Sequence, residues 1–122
     1  MRLLLATAIF ALGAMASLAA PAPPEVRAEI DALIAKLSAS GCTFNRNGTW
    51  YPAAEVKAHL LRKLRYLEGK DLVQSTEQFI ERAASNSSSS NKPYLVKCRD
   101  TAVESRTWLA TELRNLRAAH KR

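Results

Sequence analysis

Two cysteines, Cys42 and Cys98, and the segment that opens this 122-residue chain constrain what it can fold into more than any other feature. Arg2 supplies a positive start, Leu3–Leu12 is an apolar run, and small residues lead to Ser17-Leu18-Ala19. This is the pattern of an export signal, and its apolar centre is too short to span a bilayer as a stable helix. Cleavage is expected after Ala19, with Ala16 as a second acceptable position, and no cysteine follows either to carry a lipid anchor. Export delivers the chain to an oxidising compartment. There, two cysteines without a CxxC or a histidine at ligand spacing are expected to pair as a structural disulfide rather than bind metal. Closing the 42–98 loop stabilises by about 4 kcal/mol in the chain-entropy model, a large contribution for a mature domain of about 100 residues with one small core.

Residues 20–23, rich in proline, read as a stiff extended leader that adds nothing to a core, and residues 24–122 as a single domain. From Pro24, the residues Val26, Ile30, Leu33, Ile34 and Leu37 fall on one helical stripe, and Gly41 is a stop signal. Cys42–Phe44 and Thr49–Tyr51 flank Asn47-Gly48, a strong hairpin signal. Pro52 opens a second helix that reaches Glu68, with Val56, Leu60, Leu61, Leu64 and Leu67 on one face and Gly69 behind it. Ser75 with Gln78 reads as a capping box for a short helix over 76–84. Asn86–Asn91 is polar and reads as a flexible loop, and Tyr94–Cys98 as a strand. Thr101 with Glu104 suggests a capping box for a last helix over 102–120, with Val103, Trp108, Leu109, Leu113 and Leu116 inward. The expected fold is α+β: four helical segments and a three-stranded antiparallel sheet in which the disulfide holds Tyr94–Cys98 beside the hairpin. The alternative is an all-α bundle in which Cys42–Tyr51 is only a turn.

Five motifs in order carry a resemblance: Cys42-x-Phe44-x-Arg46-Asn47-Gly48-x-Trp50-Tyr51, His59-Leu60-x-x-Lys63, Glu77-x-Phe79-Ile80-Glu81-x-Ala83-Ala84-Ser85, Pro93-Tyr94-x-Val96-x-Cys98 and Trp108-Leu109. Together they resemble the YfeK-like proteins, small exported bacterial proteins grouped as a domain of unknown function (DUF5329). The resemblance spans nearly the whole mature chain. It implies a periplasmic address in a Gram-negative bacterium and no particular activity.

The sharpest local constellation is His59, Lys63 and Tyr66 at i, i+4 and i+7, along one flank of the second helix, with Arg62 and Arg65 beside them. These five residues are the candidate binding set for an anion or carboxylate. Lys57, in the first turn of the same helix, marks where the helix leaves the core. No residue is assigned a catalytic role. There are two histidines in all, no HExxH, no GxSxG beside the serine run, and no glycine-rich phosphate loop, so neither a metal nor another cofactor is expected. Glu77 and Glu81 share a helix face but read as exposed surface.

Charge supplies the remaining clue. Removing Arg2 with the export signal leaves 17 lysines and arginines against 11 acids, with Lys57, Arg62, Lys63, Arg65 and Lys70 clustered and five more positives from Arg106 to Arg122. An exported basic domain meets polyanions, so the expected partner is an anionic envelope component or an acidic protein. Nucleic acid is in the wrong compartment and no recognition motif is present. Nothing after the leader is long and apolar enough for a transmembrane span, and oligomeric state is left open. The expected function is therefore non-catalytic binding through a basic surface. The alternative is a small envelope hydrolase or hydrolase inhibitor working through a cleft beside His59, Lys63 and Tyr66.

Overall fold

The computed structural model of the protein describes residues 21–121; the export signal expected over 1–19 lies outside the described residues. Four helices and a four-stranded antiparallel sheet follow in the chain order α1 Pro24–Ala39, β1 Thr43–Arg46, β2 Thr49–Pro52, α2 Ala53–Glu68, α3 Thr76–Ala83, β3 Leu95–Lys97, β4 Ala102–Glu104 and α4 Ser105–His120; α2 and α4 pack on the sheet, and α1 and α3 pack against those two helices. The strand order is β2-β1-β3-β4. Among the described residues, no helix is long and apolar enough to cross a membrane.

The helical stripes do what their spacing predicts. Ile30, Leu33, Ile34 and Leu37 of α1, Leu60, Leu64 and Leu67 of α2, Phe79, Ile80 and Ala83 of α3, and Leu109 and Leu113 of α4 are buried in one cluster. Pro24 stands at the start of α1, where its missing N–H costs nothing. Ser75 caps α3 by accepting from the Gln78 N–H at 3.1 Å, while the Gln78 side chain reaches one residue further back, to the N–H of Gln74.

The hairpin forms where expected. Asn47 and Gly48 both adopt positive φ, 53° and 85°, as a two-residue turn of this hand requires. The turn sets Phe44 opposite Tyr51 and Arg46 opposite Thr49. Strand β3 pairs with the other edge of β1, Phe44 opposite Val96, and the Cys42–Cys98 disulfide joins the same two segments at one end. Because side chains alternate across a strand, Phe44 and Val96 point into the core. Trp50 lies on the opposite face beneath the Lys97 ammonium, 4.8 Å from the ring centre.

Three sequence expectations are corrected. The sheet has four strands, not three: Ala102–Glu104 is an edge strand on β3, and α4 begins at Ser105 rather than at 102. Neither Thr101 nor Glu104 caps that helix through its side chain, and Val103 is exposed on the strand rather than facing inward. The Ser105 N–H instead donates to the Tyr94 carbonyl at 2.8 Å, so a tertiary contact fixes where the helix starts. The leader also contributes to the core. Ala22 is buried in it, and the Ala22 N–H donates to Glu68 at 2.8 Å, while Arg27 donates to the other oxygen of the same carboxylate at 3.0 Å.

The serine-rich loop is the third correction, since it is tied down rather than free. Ser87 is buried and its N–H donates to the Lys92 carbonyl, while the Asn91 N–H donates back to the Ser87 carbonyl. The Asn47 amide at the hairpin tip donates to Ser87 and Ser89 and accepts from Ser90. One turn residue therefore holds a loop some forty positions away in the chain.

Candidate functional site

Between α2, the hairpin and the start of β3 lies a cleft of about 330 Å³. Its walls are mostly apolar, contributed by Phe44, Tyr51, Val56 and Leu60 among others, with Arg46 and Arg62 at its polar margin and Glu55 the acid on the rim. The hairpin delivers Arg46: it shares strand parity with Phe44, so it leans to the helix side of the sheet. Helix α2 delivers His59, Arg62 and Lys63 from successive positions on one flank.

His59 and Lys63 converge on Tyr94, which is only 7% exposed. Arg46 Nη1 lies 3.0 Å from His59 Nδ1, and His59 Nε2 lies 3.2 Å from the Tyr94 hydroxyl. A guanidinium can only donate, so Nδ1 is the acceptor and the ring proton sits on Nε2, which donates to Tyr94. Lys63 Nζ donates to the same hydroxyl at 3.2 Å and to the Asn86 carbonyl at 3.4 Å. The Tyr94 oxygen thus accepts from two sides and keeps its own proton to give.

The electrostatics follow from the placement. Burial, then the positive fields of Arg46, Lys63 and Arg62, pushes His59 down to about 4, so the ring is neutral at neutral pH. Burial, and then Arg46, likewise lowers the Lys63 ammonium from its ordinary value. Burial raises the Tyr94 phenol. A neutral histidine with both ring nitrogens engaged is a tether for Arg46, not a free base. None of the ion pairs among the described residues occupies Arg46, Arg62 or Lys63. The basic end of α4 differs. Arg117 there donates to Glu29 at 2.9 Å and also to Glu77, and its guanidinium holds the Glu29 carboxyl below the usual range.

A family of unknown function (DUF5329) matches residues 24–117, most of the chain and every element from α1 into α4. The chain belongs to this family. No curated protein and no solved structure matches it. The DUF5329 match thus brings no ligand or reaction with it, and the chemistry of the cleft has to be read from its own groups.

Of the five residues singled out in the sequence, this DUF5329 chain brings three together. His59 and Arg62 line the cleft, and Lys63 stands behind its wall through Tyr94. Tyr66 is 64% exposed, with the Lys70 ammonium 5.3 Å over its ring, and neither it nor Arg65 lines the cleft. Helical spacing places Tyr66 on the same flank as His59 but two turns along, beyond Arg62, the last residue of α2 on the cleft lining. Two site residues, Arg46 and Tyr94, escape a reading based on helix faces. Strand parity is the available signal, since Tyr94 falls on the same side as the buried Val96 and Arg46 on the same side as the buried Phe44.

Proposed function

We propose that this protein is an exported, periplasmic, non-catalytic binding protein that seats an anionic envelope component at Arg46 and Arg62, at the margin of the cleft. The observation that carries the reading is the tether: a neutral His59 accepts one N–H of Arg46, and among the described residues no acceptor takes the remaining guanidinium donors. A fixed guanidinium loses little side-chain freedom when an oxyanion arrives, which favours binding. The export pattern, the Cys42–Cys98 disulfide and the resemblance to YfeK-like proteins support the periplasmic address. Pairing of Arg117 with two carboxylates turns the choice away from the basic end of α4 and from a diffuse charged surface.

The hydrolase alternative has less support. A histidine whose two nitrogens are already bonded, with a value near 4, is poorly placed to take a proton near pH 7.

Titration with inorganic phosphate followed by NMR tests the reading. Resonances of Arg46, His59 and Tyr94 should move, and the shifts should shrink as sodium chloride screens the charges. Arg46→Gln with Arg62→Gln should abolish them and Arg114→Gln should leave them intact. Shifts that survive the double substitution, or that cluster on α4, would sink it.

A further inference from the structure

The same cleft is deeper and more apolar than a bare anion needs. Behind Arg46 and Arg62, its walls are Leu37, Phe44, Val56, Leu60 and Ala84, and its about 330 Å³ lies at the small end of ligand-binding pockets. A bare oxyanion would fill little of that volume and leave these walls facing water. A two-chain lipid or a folded peptide would not enter. We infer that the ligand is a single-chain amphiphile: an oxyanion head, carboxylate or phosphate, on Arg46 and Arg62, with one unbranched or ring-sized apolar tail in the cleft.

This inference rests on the anion seat proposed above and adds the tail. The geometry orders the two parts. The tethered guanidinium of Arg46 stands at the end of a strand whose neighbouring inward residue, Phe44, is core, so head and tail sites lie side by side on one strand face. Tyr94, also on the lining, offers its hydroxyl proton as a further donor to the head. Glu55 on the rim disfavours a second negative charge further along the ligand, so the anion belongs at one end only.

Calorimetric titration of the disulfide-bonded protein with hexanoate, octanoate, decanoate, decyl phosphate and decanol separates the parts. Each added methylene buried in the cleft should tighten binding roughly fourfold until the tail fills it, from about 0.8 kcal/mol per methylene. Decanoate or decyl phosphate should bind at least about tenfold tighter than decanol, and whichever is tighter identifies the head. Val56→Trp, which fills the cleft, should remove the chain-length dependence while leaving the phosphate-induced NMR shifts of Arg46. Arg46→Gln should weaken decanoate and spare decanol. Equal binding of hexanoate and decanoate would overturn the tail while the anion seat stands. Decanol binding as tightly as decanoate would overturn the anion seat. Absence of binding by every probe would overturn both.

Discussion

Acidification from about pH 7 to about pH 4.5 should destabilise this protein through His59, and His59→Gln should remove that part of the loss. His59 has an ordinary value of 6.5 and is pushed down to about 4 in the folded chain, first by burial and then by Arg46, Lys63 and Arg62. Between those two values the unfolded chain binds a proton at this ring and the folded chain does not. Stability therefore rises with pH across the window; the contribution is fully present above 6.5 and is lost as pH falls toward 4. The full gap corresponds to about 3 kcal/mol, and because the ring is only half-buried, solvent screening reduces this to about 1–2 kcal/mol. Glutamine keeps an acceptor for Arg46 and a donor for Tyr94 but does not titrate. Urea denaturation of both proteins at the two pH values, with the disulfide intact, gives the difference of differences. Loss of stability by Glu29 and the other carboxylates in acid is common to both proteins and cancels. Equal pH dependence in the two proteins, within about 0.5 kcal/mol, would refute the account of a neutral, desolvated His59.

Three further outcomes follow from the packing. Replacing both Cys42 and Cys98 by serine should lower stability by about 4 kcal/mol, measured as the urea midpoint at constant slope, since the bond spans a sequence separation of 56. Phe79→Ala should cost about 3–5 kcal/mol by thermal unfolding, because the ring is fully buried in the core, on a helix that packs against α1, α2 and α4, and its loss leaves a cavity. Asn47→Gly should keep the turn, whose φ glycine tolerates, but release the serine loop; hydrogen exchange should accelerate at Ser87 and Asn91 while the β1–β2 ladder stays protected.

The parts of this fold legible in the sequence are those governed by local rules. Helical stripes, the Asn47-Gly48 turn and the Ser75 cap each rest on a few neighbouring residues and one physical constraint, while the cysteine pair, 56 positions apart, is legible because the chain holds two cysteines and so a single pairing. What escaped depends on distant partners. Ala102–Glu104 continues the helical pattern of α4 well enough to look like its first turn, and only pairing with β3 and the Ser105–Tyr94 hydrogen bond make it a strand. Ala22 looks like leader until Glu68, 46 residues away, accepts its N–H. The serine run has the composition of a flexible loop, and composition says nothing of an asparagine placed opposite it by a hairpin. The site divides the same way. His59, Arg62 and Lys63 share one helix and were visible together, whereas Arg46 and Tyr94 reach them only through the β1–β3 pairing. Tyr66 looked equivalent by spacing, but the cleft ends before its turn of α2.

The central claim is that a tethered Arg46 and the apolar cleft beside it form one binding site. A crystal structure of the protein soaked with decanoate tests it most directly. The account predicts the carboxylate within hydrogen-bond distance of the Arg46 or Arg62 guanidinium, with the His59–Arg46 contact retained and the chain lying against Phe44, Val56 and Leu60. Decanoate bound instead at the basic end of α4, or with its chain in the cleft and its carboxylate turned away from both arginines, would contradict it.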